Sequence, residues 1–405
     1  MKKLLISIIA ITSSLLLQAQ NNFLLPDSSN QVIFNGYGGL GSSSIPQKFL
    51  NKFIFPDFID NDLKDKTSEK LNDRNKFGAV AAGNINLLFE VNNDTSKFLN
   101  ILGIGFGNQL DGNLGFTKGL FDVTFYGNAP FAGQTIDLNR TSFNRLSYSY
   151  LEFSLGRSVI SNDIHISAWA DLGLVVGHNF TDFEIGKGSL FTEENGDYLE
   201  VNLSETSLSM TDTLSTSLVQ GYGAKIDLHF SRQTKNSKLL VTTENIGGIF
   251  WNNTTSANLD TNFVFDGIEI DNIFQLSDSV WSEIGTIDSF IDTEKGNSLR
   301  ALPVSFSAYY KKEFDKFQFD VFAKHRLYSN FFPYVRLGAN LNLPMVNPGI
   351  TLAYGGYGSF QTGLNADLEL KENIKIQLGT NNILGAIIPM NANSIDGYLG
   401  IRYNF

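Results

Sequence analysis

The chain of 405 residues holds 37 glycines, 34 phenylalanines and no cysteine, is 42% hydrophobic and 13% aromatic, and carries a formal charge of -11. A mean hydropathy of -0.06 excludes a bundle of membrane helices and excludes global disorder, while the lack of cysteine excludes a disulfide framework, a cysteine-ligated zinc site and a thiol nucleophile. The acidic balance argues against nucleic acid as a partner.

Residues 1–19 read as a cleaved secretory signal. Lys2 and Lys3 open it, an apolar run extends from Leu4 to Leu17, and the small residue Ala19 stands at its end. Its removal leaves residues 20–405 with 28 basic against 41 acidic residues, a charge of -13. The stretch QVIFNGYGGLGS, 31–42, is the predicted first strand. Its glycines opens no helix, so a bending or closely packed strand is favoured over a phosphate loop. Residues 43–77 break the strand pattern: Phe49, Phe53, Leu63 and Leu71 recur among alternating charges, and Pro56 divides them. That spacing predicts two short amphipathic helices, lying on a rim or plugging a lumen.

Strict alternation of apolar and polar residues then recurs along the chain. In 150–155 Leu151, Phe153 and Leu155 share one parity, and in 163–177 Ile164, Ile166, Ala168, Ala170, Leu172, Leu174 and Val176 do the same. The segments 223–232, 335–343, 363–370, 373–379 and the closing SIDGYLGIRYNF, 394–405, repeat the pattern. Period two over such lengths means strands with one apolar face. Several are near the ten or so residues that a tilted strand needs to cross a bilayer, and only a closed barrel satisfies every backbone group in lipid.

The connections separate a barrel from a soluble sandwich. Those at 92–97, 158–162, 232–237, 312–316, 344–348 and 371–373 are short, whereas the intervening ones include 43–77, 111–142, 179–216 and 249–301. Every long connection falls on the same side, as in outer-membrane barrels with short periplasmic turns, long outer loops and periplasmic termini. The sequence therefore predicts an all-β protein: a transmembrane antiparallel β-barrel of about 14 strands (range roughly 12–16), with long extracellular loops and short amphipathic helices. The strand ending at Phe405 must close against 31–42, with its aromatic end at the membrane interface.

If the apolar parity faces lipid, the opposite parity defines the lumen. It brings Glu152, Asp171, Lys225, Asp227, Glu244, Asp320, Lys324, Arg336, Asp367, Glu369, Lys375 and Arg402 inward. Two readings of this polar set stay open: a mutually paired ionic network that fills the barrel, or a selective pathway for solutes. The outer segments carry the excess charge. Nine acidic residues, including Asp260, Asp266, Glu269 and Asp271, stand against Lys295 and Arg300 in 249–301, and eight against Lys187 in 179–216. They form either a solvated surface or a partner-binding one, and no EF-hand spacing supports a calcium site. SEIGTIDSFIDTE, 282–294, is a predicted surface helix.

Catalysis finds little support. His165, His178, His229 and His325 stand in no metal-spaced motif, and no GxSxG elbow accompanies them. The chain is expected to be non-enzymatic, without cofactor or metal.

The segments YGNAPFAGQ (126–134), GYGAKIDLHF (221–230), ENIGGIFWNN (244–253), LPVSFSAYY (302–310) and GTNNILG (379–385) resemble Bacteroidota outer-membrane barrels of a family of unknown function. These are similar to the PorP/SprF proteins of type IX secretion and, more remotely, to FadL-like transporters. The resemblance implies a Gram-negative outer membrane and a scaffold or accessory barrel that works with other envelope or secretion proteins. The alternative is a FadL-like or porin-like barrel that transports small or hydrophobic solutes. It carries no catalytic or ligand-binding residue over to this chain.

Overall fold

The period-two segments fold as one closed antiparallel sheet. A computed structural model describes residues 30–90, 99–211, 218–266 and 293–405. The strands are β1 (Gln31–Ser42), β2 (Arg74–Glu90), β3 (Ile101–Thr117), β4 (Thr135–Asp137), β5 (Thr141–Ser161), β6 (Ile164–Thr192), β7 (Tyr198–Thr211), β8 (Gly221–Thr234) and β9 (Ser237–Asp266). They continue as β10 (Thr293–Ala301), β11 (Ser305–Glu313), β12 (Phe317–Arg326), β13 (Phe332–Leu341), β14 (Val346–Gly356), β15 (Phe360–Lys371), β16 (Ile374–Thr380) and β17 (Ser394–Asn404). The helices are α1 (Gln47–Ile54), α2 (Asn61–Ser68), α3 (Lys118–Tyr126) and α4 (Leu384–Ile387).

Fourteen of these strands make the barrel wall, and β4, β7 and β10 belong to an extension of it. Closure is by β17 against β1, from Gln31 opposite Asn404 to Gly41 opposite Ser394. The Phe405 amide donates to the Asn30 carbonyl at 2.9 Å, so both described ends of the chain share one end of the barrel. β1 thus pairs with β17 along almost its whole length, while its seam with β2 holds one ladder pair among the described residues, Ser42 opposite Phe77.

Alternation sorts the side chains inside out. Leu102, Ile104 and Phe106 on β3, Leu151, Phe153 and Leu155 on β5, Leu172 and Leu174 on β6, and Ile350 and Leu352 on β14 are all exposed. Their neighbours of opposite parity, such as Glu152, Asp171, Lys225 and Arg336, are buried. An outward apolar belt around an inward polar set is stable where hydrocarbon replaces water, so the chain is a membrane-spanning barrel of the outer-membrane type.

The two ends differ in build. At the end shared by Asn30 and Phe405 the described connections are tight. Asn162 and Asp163, both at positive φ (48° and 63°), turn β5 into β6 as a two-residue hairpin does.

The opposite end holds a cap and an outer sheet. In the cap, Asp60 accepts from the Leu63 amide at 2.8 Å to start α2, and Thr117 accepts from the Leu120 amide at 3.1 Å to start α3. α1 buries Phe49 and Leu50 against Leu63, Phe116 and Phe121. The Phe49 ring stands 5.0 Å from Phe125 and 5.3 Å from Phe121, a spacing at which tilted rings attract. The amides of Gln47 and Lys48 donate to the carbonyls of Ala392 and Pro389, which ties α1 to the segment between α4 and β17. Residues 43–73 thus lie across the mouth, whereas 74–77, expected in the same helical segment, open β2 of the wall.

The outer sheet corrects an expectation. Residues 179–216 and 249–301 read as loops, yet their described parts are largely strand: β6 runs on to Thr192, β9 to Asp266, and β7 and β10 pair with them. The order β4-β6-β7-β9-β10 makes a five-stranded extension above the wall. β6 has 29 residues and so spans roughly 95 Å, about three times what a transmembrane strand needs. The physical reason is that alternation does not stop at the membrane: Leu199 and Val201 on β7 oppose Phe265 and Phe263 on β9, pairs that favour a pleated sheet. Thr293 and Glu294, expected to end a surface helix, open β10, and the rest of that predicted helix lies outside the described residues. So does the signal segment 1–19.

Candidate functional site

The lumen is where the polar residues gather. Lys225 on β8 reaches Glu152 on β5 at 2.8 Å and Asp227 on its own strand at 2.5 Å. It gets there by lying over Gly173 of the intervening β6, where an added Cβ would stand 2.7 Å from the Lys225 Cγ. Any larger residue would block the approach. The Lys225 ammonium also sits 3.9 Å from the centre of the Tyr150 ring, a cation–π contact in a place removed from water. Asp227 accepts from the Asn245 amide at 2.6 Å, where a bulge between Ile226 and Leu228 and the positive φ of Asn245 (64°) bring that amide inward. His229, one step further along β8, lies 2.9 Å from Asp171 of β6 and stacks on Trp169 at 4.7 Å and 11°.

The other inward residues expected from parity form smaller groups. Glu244 on β9 accepts from the Ser305 hydroxyl at 3.0 Å and lies 3.8 Å from the Lys324 ammonium on β12. Arg336 on β13 donates to Asp320 on β12 at 3.0 Å. Asp367 on β15 faces Gln377 across the ladder, and Arg402 on β17 is buried beside Lys375 of β16. The structure therefore joins Glu152, Lys225 and Asp227 into one cluster with Asp171 and His229, places Glu244 and Lys324 beside it, and keeps Asp320 with Arg336 apart.

Contacts across the barrel matter as much and were not singled out in the sequence. Arg326 on β12 donates to Asp111 on β3 at 2.6 Å, although six strand steps separate them around the wall. The Tyr148 hydroxyl bonds Gln109 at 2.9 Å and Asn245 at 3.2 Å. Tyr357, in the turn after β14, donates to Asn113 on β3 at 2.6 Å. Trp169, Leu240, Tyr309, Phe322 and Tyr334 cluster inside as well. Side chains of opposite walls thus meet across the lumen, and a cavity of about 190 Å3 with many polar lining residues remains beside them. The parity rule that found Glu152 also places Asp111 inward; which inward charges meet depends on cross-section, which no single strand encodes.

On the outer sheet, Asp260 of β9 lines an open polar groove with Asp137, Asn139, Lys187 and Asn202. Lys187 pairs with Glu205, whose carboxylate holds the lysine above its ordinary range. Asp266 ends β9 opposite Tyr198, while Glu269 and Asp271 lie outside the described residues. Two histidines lie elsewhere: His178 bonds Ser149 at 2.8 Å and the Leu218 carbonyl at 2.7 Å, and His165 bonds Ser158 and Ser167. The group that orients His178 is a main-chain carbonyl, not a carboxylate.

Fold and lumen together define a closed β-barrel of the outer-membrane class, filled by side chains and extended at one end by a sheet. The chain belongs to the DUF5723 family, a family of unknown function, whose model matches residues 29–380. No curated protein matches its sequence. Among solved structures it is similar to the Pseudomonas putida toluene transporter TodX, at 9% identity over 94% of this chain and 91% of that one, with a TM-score of 0.44. It is also similar to the translocator domain of the autotransporter NalP from Neisseria meningitidis, at 8% identity over 100% and 96% of the chains and a TM-score of 0.32. A Rhodopseudomonas blastica porin variant matches at 11% identity over 92% and 100%, with a TM-score of 0.23.

Proposed function

We propose that this protein is a non-enzymatic outer-membrane scaffold: a barrel that anchors an outer β-sheet and presents it to other envelope or secretion proteins. The observation that carries this reading is the five-stranded extension β4-β6-β7-β9-β10, a folded surface where solvated loops would suffice for a simple pore. A lumen crossed by Arg326–Asp111 and Tyr357–Asn113 and capped by α1–α3 supports it, because these contacts narrow the route a solute would take. In this reading the tight-turn end with Asn30 and Phe405 is periplasmic, and the sheet stands outside the cell. A PorP/SprF-like accessory role among secretion components is its most specific form.

The test is a deletion shaped by the register. Ile185 and Thr206 are partners, so removing residues 187–204 leaves Gly186 and Glu205 as a two-residue turn between them, and Glu205 already has a positive φ of 53°. The shortened barrel is expected to keep its heat-modified gel mobility and to lose the stoichiometric proteins recovered with the tagged full chain in gentle detergent. Recovery of the full chain alone from its native membrane would sink the scaffold reading.

A second reading, transport, draws on the polar cavity between the walls. It requires the cap and the Tyr357 turn to move. Solute uptake by liposomes carrying the full chain, absent from empty liposomes, would establish it.

A further inference from the structure

The polar cavity holds more negative than positive charge. Its charged lining comprises five carboxylates, Glu152, Asp171, Asp227, Glu244 and Asp396, and three cations, Lys225, Lys324 and Arg326, besides His229. Arg326 is engaged by a sixth carboxylate, Asp111. Asp396 is accounted for separately, since it accepts from the Asn381 amide at 2.6 Å and the Asn381 side chain at 2.9 Å. On the β5–β9 wall, four carboxylates therefore face two ammonium groups.

Within that wall the imbalance has a focus. Asp171 and Asp227 are direct register partners on β6 and β8, the placement in which like charges repel most strongly across a sheet. They are 8% and 6% exposed, so water screens them little. Lys225 lies on one side of Asp227, against Glu152, and His229 on the other, against Asp171. Nδ1 of His229, on a side chain 2% exposed, and Oδ1 of Asp171, on a side chain 11% exposed, have no hydrogen-bond partner among the described residues. Such atoms are costly to bury and ask for a ligand.

We infer that Asp171, Asp227 and His229 bind one divalent cation of the zinc, cobalt or manganese kind inside the barrel. One donor atom from each lies within 4.8 Å of the others, so the set needs to close by about 1 Å around an ion with bonds near 2.1 Å. Asp227 keeps its bonds to Lys225 and Asn245, because each carboxylate oxygen has a second lone pair to offer. The face of Trp169 fixes the plane of the imidazole. A donor set of one imidazole and two carboxylates suits a borderline divalent metal better than calcium or magnesium, which prefer oxygen alone. Two positive charges would neutralise the excess of this wall.

The experiment uses the full chain, purified in detergent and stripped with EDTA. Titration with Co2+ is expected to produce visible absorption saturating at one equivalent and displaced by Zn2+. His229→Ala and Asp171→Asn should each weaken Co2+ binding by at least about tenfold, in preparations whose heat-modified gel mobility shows a closed barrel. Should either variant fail to fold, X-ray absorption of the Zn2+-loaded unaltered chain decides: one imidazole per zinc with oxygen donors supports the site. No binding, or a zinc shell with no imidazole or with several, overturns it, and protons then balance the carboxylates. Equal affinity in the folded variants overturns it too.

Discussion

Arg326 and Asp111 meet inside the barrel at 2.6 Å, one on β12 and the other on β3, with side chains 5% and 2% exposed. The pair staples opposite walls, and its desolvation has already been incurred. Removing one partner leaves a buried, uncompensated charge, at a cost of about 3–5 kcal/mol. Arg326→Met should lower the urea midpoint of the detergent-folded barrel accordingly. Arg326→Met with Asp111→Leu should recover a large part of the loss, since neither charge then remains. A double variant as weak as the sum of the two single ones would show that the residues do not act as a pair.

Tyr357 sets the second staple, and Gly78 makes room for it. A Cβ at Gly78 would stand 2.1 Å from the Tyr357 ring, inside any tolerable contact, so the ring must leave. Gly78→Ala should therefore cost about 1–3 kcal/mol as overpacking does. In a Tyr357→Ala background the same change should be nearly neutral. Conductance in planar bilayers gives a second readout: Tyr357→Ala is expected to increase channel activity over the unaltered chain, because the turn no longer bonds Asn113.

The assignment of faces is testable at the closing strand. Leu399 is opposite Gly36 near the middle of β17, on the outward parity, while Asn404 lies at its end on the inward parity. Leu399→Arg should cost about 2–4 kcal/mol at the bilayer midplane, and Asn404→Arg no more than about 1 kcal/mol. Unfolding in lipid vesicles, followed by tryptophan fluorescence, measures both. Equal losses would overturn the orientation.

Much of this wall was legible in the sequence, because period two is a local property. Ile395, Gly397, Leu399, Ile401 and Tyr403 declare an apolar face without reference to any other strand, and the short turns fix fourteen strands in register with them. The helices at Phe49 and Leu63 were legible for the same reason, as a break in that period around Pro56. The outer sheet was not. Residues 179–211 are rich in Asp and Glu, and acidic composition suggested solvated loops, whereas the β7–β9 ladder rewards Val201 opposite Phe263 whatever the net charge. The lumen was half legible: parity placed Lys225, Asp227 and Glu244 inward, but the meeting of Asp111 with Arg326 depends on how the closed sheet brings β3 and β12 across from each other. His229 was weighed in the sequence as a catalytic base and against local metal-spaced motifs, neither of which could reach Asp171, its neighbour 58 positions away.

Phe49 offers a way to separate the cap from the wall. It is 1% exposed and touches Phe53, Phe121 and Phe125, so Phe49→Ala removes a ring from a closely packed cluster at a cost of about 3–5 kcal/mol. Those three rings lie on α1 and α3, outside the strand ladder, although the same cluster also reaches Phe116 of β3. The loss should therefore appear as local opening, with faster protease cleavage in the segment between α1 and α2, where Phe55 and Phe58 are already 72% and 79% exposed. Heat-modified gel mobility, which reports the closed wall, should stay unchanged. If it falls in step with cleavage, the cap and the barrel unfold as one cooperative unit, and the cap cannot move by itself as the transport reading requires.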